Sequence, residues 1–152
     1  MRPPAKVRIF YANGANDGDQ YIDHTSIAIR RLVHDLCTKR WPQRSPQVEV
    51  ISGRDDFRRY ARGDWEGWTK GISRRRAPLT LEPFYSLLII DRDECGRATF
   101  SILTEALENN KPVFRFHDGN PPRLARVSEV VPEDVDDWQA GFRVQPKEKP
   151  CP

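Results

Sequence analysis

A chain of 152 residues with a formal charge of +3, 38% hydrophobic and 31% charged, has the length of one domain and the balance of an ordinary globular protein. No apolar run approaches the roughly 20 residues of a membrane span, and the opening Met-Arg-Pro-Pro-Ala-Lys leads into a strand rather than a signal-peptide core. Cys37, Cys95 and Cys151 are far apart and lack CxxC spacing, so neither a disulfide framework nor a metal site is expected, and the setting reads as cytoplasmic.

The charge is unevenly spread. Residues 1–80 hold 16 Lys and Arg against 9 Asp and Glu, whereas residues 81–152 hold 9 against 13. The basic half suits an anionic small molecule such as a nucleotide. No dense Lys/Arg stripe with interleaved aromatics is present, which argues against duplex nucleic acid.

In chain order, residues 7–12 (Val-Arg-Ile-Phe-Tyr-Ala) read as a first strand. Asn13-Gly14 and Gly18 punctuate a loop suited to close backbone approach. A helix is expected over about 23–40, with Ile29, Leu32, Val33 and Leu36 on one apolar face. Residues 48–51 read as a second strand, closed by Ser52-Gly53. From Arg54 to about Gly71 the apolar residues share a helical face, which Gly63 interrupts at about 1 kcal/mol relative to alanine.

The run 85–90 (Tyr-Ser-Leu-Leu-Ile-Ile) is nearly continuous apolar sequence, as in a strand covered on both faces. A helix over 98–109 and a strand over 112–116 follow, then a turn cluster from His117 to Pro122. A fifth strand is expected over 127–131. Pro132-Glu133-Asp134 suits the opening of a short helix, and 142–144 suits a small edge strand. Residues 146–152 read as a flexible tail.

Strands alternating with helices predict a single α/β domain over 1–145, a Rossmann-like three-layer fold with a mostly parallel sheet of about five strands. Ligands in such folds bind where the strands end at their carboxyl edge. That edge would gather Asn13, Gly14, Ser52, Arg54, Asp91, Arg92 and His117.

The chemistry is expected around Asp91, which ends the third strand. The following Arg92-Asp93-Glu94-Cys95-Gly96-Arg97 leads into a helix whose first N–H groups suit an anion, with Gly96, Arg97 and Thr99 beside them. A ribose or phosphate gripped between Asp91 and the helix start is one reading. The other is that Asp93 or Glu94 caps the helix and Arg97 faces water. Asp17, Asp19 and Asp23 offer a carboxylate to activate water at an anomeric carbon. They equally suit a solvated loop with one Asp capping the helix.

Arg54 is placed for a phosphate unless Asp55 neutralises it. His24 beside Asp23 is an acid–base pair or a surface histidine. Trp65 and Trp68 read as core ahead of base stacking, and Arg74–Arg76 as a solvated connector ahead of a nucleic-acid or lipid contact. Cys95 sits near a helix start, where a thiol pKa falls, but no Cys–His pairing accompanies it.

The pattern of residues 85–113 (strand, Asp91, polar loop, Gly96, helix, Lys111-Pro112-Val113) resembles the nucleoside 2-deoxyribosyltransferase-like proteins. The resemblance implies a small Rossmann-like fold, assembly into homo-oligomers and action on N-glycosidic bonds. It aligns Asp91 with the family's aspartate, and Ala106 and Lys111-Pro112 with its helix end. The family's nucleophilic glutamate lies about nine residues before the lysine, where this chain has Ile102. Glu105 is the nearest acid, on a helix whose apolar face is Thr99, Ile102, Leu103, Ala106 and Leu107.

Two functions follow. One is an enzyme of N-glycosidic bonds, a transferase or hydrolase with Asp91, Asp17 and Glu105 as candidate catalytic groups. Its ligand contacts would be Asn13, Gly14, Arg54, Asp93, Gly96, Arg97, Thr99 and His117. The other is a nucleotide-binding sensor or sequestering module without chemistry, to which the missing glutamate points. A protein-interaction domain around Trp65 is a third. No cofactor is implied.

Overall fold

A computed structural model describes residues 4–14, 16–60, 85–95, 97–128, 131–132 and 142–143. The element order is β1 (Lys6–Tyr11), α1 (Asp19–Arg40), β2 (Gln47–Ser52), α2 (Gly53–Tyr60), β3 (Leu87–Ile90), β4 (Glu94–Cys95), α3 (Arg97–Glu108), β5 (Val113–His117), β6 (Arg123–Arg126), β7 (Val131–Pro132) and β8 (Phe142–Arg143). The fold is α/β and Rossmann-like. Its five-stranded sheet has the order β2-β1-β3-β5-β6, parallel except for β6.

The sheet is buried on both faces, so its central strands are apolar at successive positions rather than alternating. On one side Val7, Ile9, Tyr11, Ile89 and Phe116 pack with Ile22, Ile29 and Val33 of α1. On the other, Phe10, Leu88, Ile90 and Val113 pack with Ile102, Leu103 and Ala106 of α3. No helix among the described residues is long and apolar enough to cross a membrane.

Helix α1 starts at Asp19, four residues before the expected Asp23. Its N-cap is Gly18 with no side-chain cap, so none of the loop aspartates has the capping role considered for it. Asp19 in the first turn and Lys39 and Arg40 in the last complement the helix dipole. The buried stripe runs through Ile22, Thr25, Ile29 and Val33 to the half-buried Cys37, whereas Leu36 is 47% exposed. A period of 3.6 carries the stripe from Val33 to between 36 and 37, and the helix resolves it toward Cys37.

The end of α3 explains Asn110-Lys111-Pro112. Asn110 takes φ 58, its N–H reaches the Leu107 carbonyl at 3.1 Å, and the Lys111 N–H reaches Ala106 at 2.9 Å. This is the paired closure of a left-handed helix cap. Lys111 Nζ then sits 3.6 Å from the centre of the Tyr85 ring, a cation–π contact.

The last strand of the sheet is not the expected 127–131. Arg123–Arg126 pairs antiparallel with β5, from Phe114 opposite Arg126 to His117 opposite Arg123. Residues 118–122 are too short for a parallel crossover, which takes a dozen or more. Arg-Leu-Ala-Arg lacks β-branched residues, so composition did not mark it. Val127 follows the strand, buried, its N–H on the Val113 carbonyl at 2.8 Å.

A second sheet has the order β4-β8-β7, antiparallel throughout. Pro132 is therefore a strand residue, not the first residue of a helix. Phe142–Arg143 is the middle strand of that sheet rather than an edge. The segment 61–84, with Trp65, Trp68 and Arg74–Arg76, and the tail 146–152 lie outside the described residues.

Candidate functional site

Strand register sets the site. Tyr11 is level with Ser52 on β2 and with Ile89 on β3, and Ile90 with Arg115 on β5. Asn13-Gly14, Gly53-Arg54, Asp91-Arg92 and His117 therefore leave the sheet at one edge. In the order β2-β1-β3 the chain proceeds outward from β1 in one direction and from β3 in the other. The gap between their carboxyl ends is the switch point at which doubly wound folds take ligands.

Asp91 stands in that gap. Its side chain is only 3% exposed. Oδ2 accepts two phenol hydrogen bonds, from Tyr11 at 2.9 Å and from Tyr21 in the first turn of α1. Oδ1 is buried with no hydrogen-bond donor; the nearest cation is Arg92, whose Nε lies 3.6 Å away. A buried carboxylate oxygen left unbonded is costly, so it marks a place where an incoming hydroxyl would be favoured.

Tyr11 is held above the ordinary tyrosine pKa by burial first and then by the Asp91 charge and hydrogen bond. Tyr21 is raised by burial and by the same carboxylate. Both are donors at neutral pH and not bases.

Around this centre the two loops are clasped together. Arg92 Nη2 donates to Asp17 Oδ1 at 2.6 Å, and Asp17 Oδ2 accepts the Gly14 N–H at 2.8 Å. Burial would lower the Arg92 guanidinium, but the Asp17 hydrogen bond and the Asp91 charge raise it. A Cβ on Gly14 would lie 2.9 Å from Arg92 Nη1, so glycine here lets the arginine cross the loop. Asp17, with its side chain 11% exposed, is thus a loop clasp and not a solvated acid.

Asn13 bridges to β2. Its Oδ1 accepts the Arg54 N–H at 3.0 Å, and its Nδ2 donates to the Gly14 carbonyl at 2.9 Å. Ser52 Oγ accepts the Asp55 N–H at 3.1 Å, which starts α2 as an N-cap. The Arg54 guanidinium is taken up by Asp23 at 2.5 Å and by Asp19 and Asp55 at 3.1 Å. Those carboxylates raise its pKa against the effect of burial. Asp19 is lowered by its hydrogen bonds with Arg58 and Arg54. Asp93 pairs with Arg115 at 3.1 Å. Arg54, Arg58, Arg92 and Arg115 are therefore all ion-paired with aspartates.

The expected residues divide accordingly. The structure brings Asn13, Gly14, Asp17, Arg54, Asp91 and Arg92 into one connected network, with Asp93 and His117 at the same edge. Arg97 opens α3 and Thr99 is half-buried in its first turn; Gly96 lies outside the described residues. Glu105 is half-buried on α3, a residue before the core position Ala106. Ile102, where the resemblance puts a glutamate, is 5% exposed in the core. His24 is exposed. Cys95 pairs with Phe142 in the second sheet.

Tyr11 and Tyr21 were missed by the sequence reading. The signal was a tyrosine ending a buried strand and a second one turn into the next helix, both on the ligand edge. The carboxylate lies at the expected end of the sheet, yet it is covered by Tyr21 and Arg92. Those two side chains are 46% and 45% exposed, and they must swing aside for a ligand to reach Oδ1. A groove of about 500 Å³ lies elsewhere, at the opposite edge. Among the described residues no group of three or more His, Cys, Asp or Glu could hold a metal ion.

Fold and edge together define an α/β protein of Rossmann-like architecture with a tyrosine-capped aspartate at its switch point. Comparison of the chain with protein-family models, with curated proteins and with solved structures gives no match.

Proposed function

We propose that the protein binds a nucleoside or nucleotide at the β1/β3 switch point and acts on its N-glycosidic bond, as a hydrolase or deoxyribosyltransferase. The observation that carries the binding step is the buried, donor-less Oδ1 of Asp91. A sugar hydroxyl donating there would complete the carboxylate, while Tyr11 and Tyr21 hold the other oxygen. The chemical step needs a second carboxylate. Asp17 serves once Arg92 releases it, either attacking the anomeric carbon itself or taking a proton from the water that attacks there; in both cases the C–N bond breaks and the base leaves, protonated from solvent.

The alternative is a sensor or sequestering module on the same edge, favoured by the core position of Ile102. The two are separated by incubating the protein with a nucleoside and nucleotide panel, following free base by chromatography and binding by calorimetry. Base release that Asp17→Asn abolishes supports catalysis. Binding with intact ligand supports the module. If no member binds, or if Asp91→Asn binds as well as the parent chain, the site reading fails.

A further inference from the structure

One side chain stands between the two carboxylates at the switch point. The Arg92 guanidinium donates from Nη2 to Asp17 Oδ1 at 2.6 Å, and its Nε lies 3.6 Å from Asp91 Oδ1. Each carboxylate is anchored by its other oxygen. Asp17 Oδ2 accepts the Gly14 N–H at 2.8 Å, and Asp91 Oδ2 accepts the phenols of Tyr11 and Tyr21. Moving Arg92 away would therefore leave both acids in place, with Asp17 Oδ1 freed and Asp91 Oδ1 uncovered. A single displacement opens the site and prepares its second carboxylate.

Arg92 is also the cation of this edge that an anionic ligand can take. The Arg54 guanidinium is largely covered and held by Asp19, Asp23 and Asp55. Arg115 is equally covered, between Asp93 and the Phe116 carbonyl. Arg58 reaches both oxygens of Asp19. Arg92 is nearly half exposed, and among the described residues Asp17 is its hydrogen-bonded partner. Because it neutralises two acids, it leaves only for a stronger anion. A phosphate monoester carries about two negative charges at neutral pH and pairs bidentately with arginine. A sugar hydroxyl alone offers the guanidinium nothing.

We propose that Arg92 is a latch opened by phosphate, so that the ligand is a nucleoside monophosphate and not a free nucleoside. This rests on the Asp91 reading and adds the ligand class to it. The phosphate takes the guanidinium, a hydroxyl of the same sugar meets Asp91 Oδ1, and Asp17 is left as a free carboxylate. The cation passes from carboxylate to phosphate, and no proton moves in that exchange.

The test measures binding of matched nucleosides, deoxynucleosides and their 5′-monophosphates to the full chain by calorimetry, with base release followed in parallel. The parent chain should bind a monophosphate at least about tenfold more tightly than its nucleoside. Arg92→Gln removes the latch. It should bind the monophosphate more weakly and the nucleoside more tightly, bringing the two within about threefold. The gain for the nucleoside is decisive, since a merely damaged site loses both ligands. Arg92→Lys keeps the charge and should keep part of the preference. Asp17 retains its Gly14 bond without Arg92, so the variants should fold, and an unchanged melting profile checks this. The parent's own ratio decides even if one variant does not fold.

Equal binding of nucleoside and monophosphate by the parent overturns the latch and leaves the Asp91 site standing. So does a phosphate preference that Arg92→Gln leaves intact, because the phosphate is then held elsewhere. Binding of neither ligand, or binding that Asp91→Asn does not weaken, removes the Asp91 reading and the latch with it.

Discussion

Replacing Tyr11 by phenylalanine removes one oxygen atom and keeps the ring. The ring is fully buried against the α1 side of the sheet, so packing is conserved and the change isolates the hydrogen bond to Asp91 at 2.9 Å. Hydrogen bonds to charged groups contribute roughly 1.5–3 kcal/mol. Tyr21 still serves the same oxygen, so the lower half applies, a loss of about 1.5–2 kcal/mol at pH 7.

The pH dependence gives a second readout. Tyr11 is raised in the folded chain, so its contribution is complete below the unfolded tyrosine value near 10 and is lost as pH rises above it. By pH 11 the parent should have lost about 1.4 kcal/mol that the phenylalanine variant never had. The gap between the two chains should shrink accordingly. Urea unfolding followed by far-UV circular dichroism at both pH values measures it, with unchanged m values as the control. A gap below about 0.5 kcal/mol at pH 7, or one that stays constant to pH 11, would refute the account of Asp91 as anchored by Tyr11.

Leu103→Ala empties a fully buried position between α3 and the sheet and should cost about 3 kcal/mol in urea unfolding. Asn110 holds φ 58, so Asn110→Gly should be neutral or slightly stabilising, while Asn110→Ala should cost about 1 kcal/mol; melting temperatures rank the three. A methyl at Gly14 meets the movable tip of Arg92 at 2.9 Å. Gly14→Ala should therefore cost under about 1 kcal/mol, and Gly14→Val, which cannot be accommodated by a side-chain shift alone, should melt distinctly lower.

The parallel core was legible because burial on both faces writes itself as apolar runs. Leu87–Ile90 could be read as a central strand, and from that Asp91 could be placed beside Asn13-Gly14. Elements held by pairing instead of by composition were not legible. Arg123–Arg126 is a strand because β5 offers it an edge across a short turn, and Glu94–Cys95 because Phe142–Arg143 returns to it from almost fifty residues away in sequence. In the site, the residue types at the loops were visible, but not their mutual neutralisation. Arg54 read as a phosphate ligand or a partner of the adjacent Asp55; the structure has that pair and adds Asp19 and Asp23, which are distant in sequence and were not visible as partners. Tyr11 read only as a strand residue and Tyr21 fell before the expected helix, because a phenol reveals its hydrogen-bond role only when its acceptor is located.

Among the described residues, strand β6 is the border of the five-stranded sheet. Two prolines, which lack N–H groups, lead into it, and arginines stand at both of its ends, one of them laid over the Phe114 ring. A strand arriving from another molecule would find four residues to pair with and guanidinium groups to desolvate. The border is thereby made unattractive to further β-addition, and the five-stranded layer keeps a finite width on that side.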